Sequence, residues 1–244
     1  MLSDLWDALK FYLGNEPIYT SPRPEVVKME TNNTDIPVEI DNAENDKYSV
    51  FCKDDILPDS LFGYDYNFKT KDFLEQKKSA LLRVVTADGE KLGDKLVELI
   101  SLASMKYDVN EKLLLVSLQR EQSLITGYNK ALRIPQRVLD RALGFGCTDG
   151  GDMPEYYGFE SQVNNCARIY RKWYDYGKDK LKKKFVVDDG KNTVFPATQF
   201  TYTLYKYCPH IGDKNSPRFK DNGGMYGNYA TWNIWKVYFP TDLA

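Results

Sequence analysis

From Thr70 to the C-terminus, apolar residues return every three or four positions, and that period decides what the chain can fold into. Residues 71–82 put Phe73, Leu74, Leu81 and Leu82 on one side, and residues 90–106 do the same with Leu92, Leu96, Leu99, Ile100 and Ala103. Asn110 is suited to N-cap a helix over 111–126, with Gly127 as its closing glycine. Pro135 fits the first turn of a helix running to Leu143, ended by Gly144. A long helix from about 159 to 176 carries Val163, Cys166, Ala167, Tyr170 and Tyr174 as its inner stripe, and helices near 197–206 and 228–238 finish the chain. Residues 185–195, around Asp189-Gly190, read as a β-hairpin. The expected class is mainly α (α+β with minor β).

The first quarter of the chain reads differently. Residues 4–13 space Leu5, Trp6, Leu9 and Leu13 as a short amphipathic helix that Gly14 ends. From Asn15 to about Asn67 the period dissolves into Pro17, Pro22, Pro24, Asn/Asp clusters and short β-type pieces such as Ile36-Pro-Val-Glu-Ile. This is the pattern of an arm wrapping another body, or of a linker. The expected division is therefore an N-terminal helix and extended arm over 1–67 and a helical domain over 68–244.

Charge and composition exclude several function classes. A net charge of -2 supplies no basic field for nucleic acid. The lysines at 178, 180, 182, 183 and 184 are a local exception, either a solvated helix end or a surface for an anionic wall polymer. Four cysteines (Cys52, Cys147, Cys166, Cys208) without a C-x-x-C pair, and the single His210, argue against a metal site, while disulfides and free thiols both stay open. The Gly144-x-Gly146 pair lacks the strand and lysine signature of a nucleotide loop, so no cofactor is expected. No run approaches 18 apolar residues, so no transmembrane segment is expected. The start, Met1-Leu-Ser-Asp-Leu-Trp-Asp, lacks the form of a signal peptide. Aromatic residues reach 14 %, with 18 tyrosines, concentrated after residue 156, and such a surface suits partners with both apolar faces and hydroxyls, as sugars have.

One carboxylate interrupts the helical pattern. At about 100° per residue, Leu114, Leu118, Glu121 and Ile125 fall within a quarter turn of one another, so Glu121 stands on an apolar face. Desolvation at such a place favours the neutral acid, which a general acid working near neutral pH requires. Spacing alone leaves a second reading open, an edge-of-core glutamate paired with Arg120 or Arg168.

The segment Ser117-Leu-Gln-Arg-Glu-Gln-Ser-Leu124 resembles the acid-bearing helix of lysozyme-like peptidoglycan hydrolases and lytic transglycosylases. Four further stretches follow in order: Arg141-Ala-Leu-Gly-Phe-Gly-Cys-Thr-Asp149, Glu155-Tyr-Tyr-Gly-Phe-Glu-Ser-Gln-Val163, Leu204-Tyr-Lys-Tyr-Cys-Pro-His210 and Tyr226-Gly-Asn-Tyr-Ala-Thr-Trp-Asn-Ile-Trp235. Together they resemble a lysozyme-like domain of bacterial secreted wall proteins and phage lysins, over about residues 68–240.

The resemblance implies a lysozyme-like catalytic domain over 68–244. It implies cleavage of the β-1,4 bond between N-acetylmuramic acid and N-acetylglucosamine, with Glu121 as acid and then base. A lysozyme adds a second carboxylate, for which Asp149, Asp152, Glu155 and Glu160 are the candidates. A lytic transglycosylase adds none, since the muramyl 6-hydroxyl attacks. A related glucosaminidase would cut the other glycosidic bond. Gln122, Tyr157, Gln162 and Tyr207 are the expected substrate-binding residues: Gln122 flanks the acid, Gln162 is suited to bond an acetamido group at the helix end that carries Tyr157, and Tyr207 to hydrogen-bond the glycan near the acid. Tyr229, Trp232 and Trp235 recur at helical spacing as core residues first and sugar-stacking residues second. The implied partner is the peptidoglycan glycan strand, and the implied setting is extracellular, in the wall or periplasm or on a virion. The alternative is a non-catalytic lysozyme-like structural or wall-binding module of a phage or surface assembly, to which the N-terminal arm would belong.

Overall fold

The computed structural model describes residues 47–85, 89, 91–131, 133–148, 151–216 and 226–243. The expected helix at 4–13 and the β-type pieces near 36–40 lie outside the described residues. Seven α-helices and two small antiparallel hairpins are present among the described residues. The class is mainly α.

The helix over Glu111–Gln122 forms the centre of the core. Leu113, Leu114, Leu115, Val116, Ser117 and Leu118 are all fully buried, so the helix is enclosed all round rather than along one stripe. In chain order it is α3, after α1 (Thr70–Gln76) and α2 (Gly93–Tyr107). A short α4 (Gln136–Asp140) follows, then the long α5 (Phe159–Gly177), α6 (Gln199–Tyr207) and α7 (Gly227–Tyr238). Helix α5 packs on α2 and α6, and α3 packs on α7. Strands β1 (Cys147–Thr148) and β2 (Gly151–Asp152) pair within the glycine-rich loop. Strands β3 (Phe185–Val187) and β4 (Asn192–Val194) make the expected hairpin, with Phe185 opposite Val194 and Gly190 at φ +86° in its turn.

Asn110 caps α3 as expected, its side chain accepting from Lys112 N at 3.0 Å. The far end differs. Ser123, not Gly127, takes the left-handed conformation (φ 53°, ψ 30°), and Leu124 N–H reaches back to Leu118 O at 3.2 Å. Gln119 Oε1 then accepts from Ile125 N and Thr126 N, both at 3.1 Å, which stabilises the non-helical turn. Ile125 is therefore buried from a loop and not from the helix face. The helix expected over 71–82 also breaks: Lys78 has φ +53°, and Ser79 Oγ caps a separate 3-10 turn over Ala80–Arg83. The helix expected to run from Pro135 to Leu143 stops at Asp140.

Residues 47–67, expected to belong to the N-terminal arm, lie against the helical core: Ile56, Leu57 and Phe62 are buried in it, and Phe62 stacks on Tyr174 of α5 with ring centres 3.8 Å apart. Ile56 N donates to Thr201 Oγ1 at 2.9 Å, and Asn110 N to Phe62 O at 2.7 Å. Proline and Asx residues hide this segment from any periodic reading, because it is held by isolated anchors and not by a repeating face.

Candidate active site around Glu121

Glu121 occupies the last turn of α3, just before the left-handed Ser123. Its neighbour Arg120 is almost wholly buried, with 6 % of its side chain exposed against 29 % for Glu121. Arg120 Nε and Nη2 donate to Glu121 Oε1 at 2.9 and 2.5 Å, while Nη1 donates to Thr231 Oγ1 on α7 at 2.7 Å. The guanidinium also lies 5.8 Å from the centre of the Tyr207 ring. Burial pulls the Arg120 proton affinity down and the Glu121 carboxylate more than restores it, so the guanidinium stays charged. The environment of the acid is thus an ion pair at the core edge. It is not the hydrocarbon pocket that the apolar spacing suggested, and Arg168 takes no part, donating instead to Asn165.

The two carboxylate oxygens are unequal. Oε1 is fixed by Arg120, while Oε2 accepts from no donor among the described residues. Oε2 faces Gly144, where an added Cβ would stand 3.4 Å from it. Gly144 (φ +69°) and Gly146 (φ +76°) form the turn that passes the acid, and a Cβ at Gly146 would stand 2.6 Å from Tyr156 Cδ2.

Two side chains clamp this turn. Gln162 on α5 is fully buried; its Oε1 accepts from Leu143 N (3.1 Å) and Phe145 N (3.0 Å), and its Nε2 donates to Phe145 O (2.8 Å) and Tyr156 O (2.7 Å). Every polar site of its amide that these bonds use is spent on backbone, so the expected bond to an acetamido group is corrected: Gln162 positions the loop. Tyr207 donates its hydroxyl to Leu143 O at 2.6 Å, so it too holds the turn and does not offer that proton to a glycan. Burial pushes this phenol well above its ordinary range.

Tyr157 and Asp152 belong to a third constraint. Arg141 Nη2 pairs with Asp152 Oδ2 at 2.5 Å and donates to Tyr157 OH at 2.9 Å, and Tyr157 OH donates to Asp152 Oδ2 at 3.1 Å. Tyr157, expected to bind substrate, is therefore tied to the β1–β2 hairpin through its hydroxyl. Cys147, paired with Asp152 across that hairpin, has its thiol pushed up to about 11 by burial first and then by the charges of Asp152 and Glu121. Among the other carboxylates, Glu160 is raised by burial and feels Lys95 of α2, Glu155 is exposed, and Asp149 lies outside the described residues. Gln122 is half-buried beside the acid, and its side chain makes no hydrogen bond among the described residues.

An open depression of about 230 Å³ is lined by Gly144, Phe145, Gly146, Ile169, Trp173, Lys206 and Tyr207. Gly144 is common to the depression and to the carboxylate. Ile169 and Trp173 went unnoticed in the sequence, although their i, i+4 spacing off the main stripe of α5 is the signal that marks them. Arg120 was read only as a possible partner; its link to Thr231 has no signature at all in linear order. Trp232 and Trp235 are core residues, Trp235 fully buried with Nε1 donating to Asp242 and Trp232 Nε1 donating to Tyr48 O, and Tyr229 is half-buried against the core. His210, just after α6, lies 3.4 Å from Asp188 in the turn between β3 and β4.

All four cysteines are free thiols, and no cluster of three or more metal-ligating side chains exists among the described residues. No helix among them is long and apolar enough to cross a membrane. Comparison of the chain with family models, curated proteins and solved structures returned no match.

Proposed function

We propose that the protein cleaves the peptidoglycan glycan strand at the MurNAc–GlcNAc β-1,4 bond, with Glu121 as the single catalytic carboxylate. The observation that carries this reading is the asymmetry of that carboxylate. One oxygen is anchored by a buried guanidinium, and the other accepts from no donor among the described residues and faces Gly144, a residue that also lines an open depression. A general acid needs a fixed group with one free oxygen at the substrate. A glycine turn lets a sugar approach without a side chain in the way. The ordered motifs downstream of Glu121 supply the substrate class by resemblance.

In this reading, protonated Oε2 gives its proton to the leaving GlcNAc oxygen as the glycosidic bond breaks and an oxocarbenium-like muramyl centre develops. The resulting carboxylate then removes a proton from the attacking group, either water or the muramyl 6-hydroxyl, as that oxygen bonds to the muramyl anomeric carbon. Asp152 is committed to Arg141 and Tyr157, which favours the route without a second carboxylate, in which the 6-hydroxyl attacks and an anhydro product forms. The setting that follows is the cell wall, outside the cytoplasm.

Purified sacculi treated with the full-length protein and with Glu121→Gln test this. Wild type should release anhydro-muramyl products, read by mass spectrometry, and the variant should release none. Reducing muramic ends would replace the transglycosylase by a lysozyme, and reducing glucosamine ends by a glucosaminidase. Equal release by both proteins would remove Glu121 from the chemistry, and release by neither would leave a wall-binding module.

A further inference from the structure

Arg120 holds Glu121 in an uneven way. A guanidinium and a carboxylate commonly meet through two parallel bonds, one nitrogen to each oxygen. Here Nε and Nη2, which share one edge of the guanidinium, both donate to the same oxygen, Oε1, at 2.9 and 2.5 Å. Oε2 is left facing Gly144. A small turn of the guanidinium in its own plane would carry Nη2 to Oε2 and complete the parallel pair. A further contact must therefore hold it away from that arrangement.

Among the described residues, the guanidinium makes one other hydrogen bond, from Nη1 to Thr231 Oγ1 at 2.7 Å. Nη1 lies off the edge that meets the carboxylate, so this bond fixes the rotation of the planar group about its centre. Thr231 is fully buried on α7, and the packing of α7 on α3 brings it to Arg120. It is not among the residues that line the depression. Burial of Arg120 and the Tyr207 ring, 5.8 Å from Cζ, limit the other movements of the group.

We propose that Thr231 is a positioning residue: its hydroxyl sets the in-plane angle of Arg120, so that the guanidinium occupies one oxygen of Glu121 and spares the other. The proposal rests on the glycan-cleaving reading of Glu121, which requires a free Oε2. Without the hydroxyl, the guanidinium turns until Nη2 reaches Oε2 while Nε stays on Oε1. Glu121 is then still anchored, but the oxygen that meets substrate is taken.

Crystal structures and steady-state kinetics of full-length wild type, Thr231→Val, Thr231→Ala and Thr231→Ser test this. Thr231→Val keeps the volume and removes the hydroxyl. Thr231→Ala removes it without a second methyl group to accommodate, and Thr231→Ser keeps it. In Thr231→Val and Thr231→Ala, Arg120 Nη2 should lie within hydrogen-bond distance of Oε2. On solubilised glycan strands kcat should fall about tenfold or more, with KM within about twofold of wild type. Thr231→Ser should keep both bonds on Oε1 and retain kcat. A residue that only filled space would lower the unfolding midpoint and leave both the guanidinium and kcat where they were. Oε2 still unbonded in Thr231→Val and Thr231→Ala, or a kcat in them equal to that of an active wild type, overturns the proposal. Failure of the catalytic reading looks different: wild type leaves every strand intact, and the position of Nη2 in the variants then decides the role of Thr231 by itself.

Discussion

Gln162 grips the backbone of Phe145 on both sides of its Cα, accepting from its N–H at 3.0 Å and donating to its carbonyl at 2.8 Å. With Leu143 N and Tyr156 O also bound, one buried amide sets the path of the turn that passes Glu121. Gln162→Leu leaves those backbone groups without this partner, for an expected loss of about 3–5 kcal/mol. The urea midpoint should fall with an unchanged slope, and glycan cleavage should fall with it. A midpoint equal to wild type would mean that the turn holds its shape alone.

The Arg120–Glu121 pair is lopsided in burial, and its variants should be lopsided in stability. Glu121→Ala strands a buried guanidinium and should cost about 3 kcal/mol. Glu121→Gln keeps an acceptor for Arg120 and should cost less. Adding Arg120→Met to Glu121→Ala should recover part of the loss, which thermal unfolding of the four proteins in the cycle would reveal. Strictly additive losses would mean that the pair contributes nothing as a pair.

Gly144→Ala introduces a methyl group 3.4 Å from Glu121 Oε2 on a backbone at φ +69°. The expected cost is about 1 kcal/mol of stability, with a larger proportional loss of cleavage rate than of folding. Gly146→Ala should cost more stability, since its methyl meets the Tyr156 ring at 2.6 Å. Unfolding midpoints and initial rates on sacculi, compared side by side, check both.

Stability should decline in alkali before surface groups alone would explain it. Burial raises the Cys166 thiol from 9.0 to about 12, and burial raises Tyr170 well above its ordinary 10.0. Below pH 9 both folded and unfolded thiols keep their protons and stability is unaffected. Between 9 and about 12 the unfolded chain loses the thiol proton first, so it binds fewer protons and stability falls with rising pH, by at most about 1.4 kcal/mol per pH unit for that group. Cys166→Ala should flatten this slope in urea titrations at about pH 8 and about pH 10.5. An identical slope in the variant would assign the alkaline sensitivity elsewhere.

Local signals carried the helices whose apolar faces repeat. Asn110 as a cap and the stripe of α5 stand where the spacing put them. The end of α3 was misjudged because two local signals competed: Gly127 is a stronger stop by residue type, but Gln119 and Ser123 already satisfy the turn four residues earlier. Glu121 was legible as a misplaced charge, yet its partner Arg120 could be weighed only as one arginine among two. Gln162 sat visibly on the inner stripe of its helix, and a buried amide on such a stripe bonds backbone far more readily than ligand. The segment 47–67 stayed invisible because Ile56 and Phe62 join the core through partners far along the chain, Thr201 and Tyr174, which no local window contains.

The bond from Arg120 Nη1 to Thr231 Oγ1 spans 111 positions of the chain. During synthesis Arg120 and the acid are made first, and the hydroxyl that steadies the guanidinium follows 111 positions after Arg120. A nascent chain that has not yet reached Thr231 carries Glu121 without the support that orders Arg120. Synthesis as far as α7 is thereby a condition for assembly of the site.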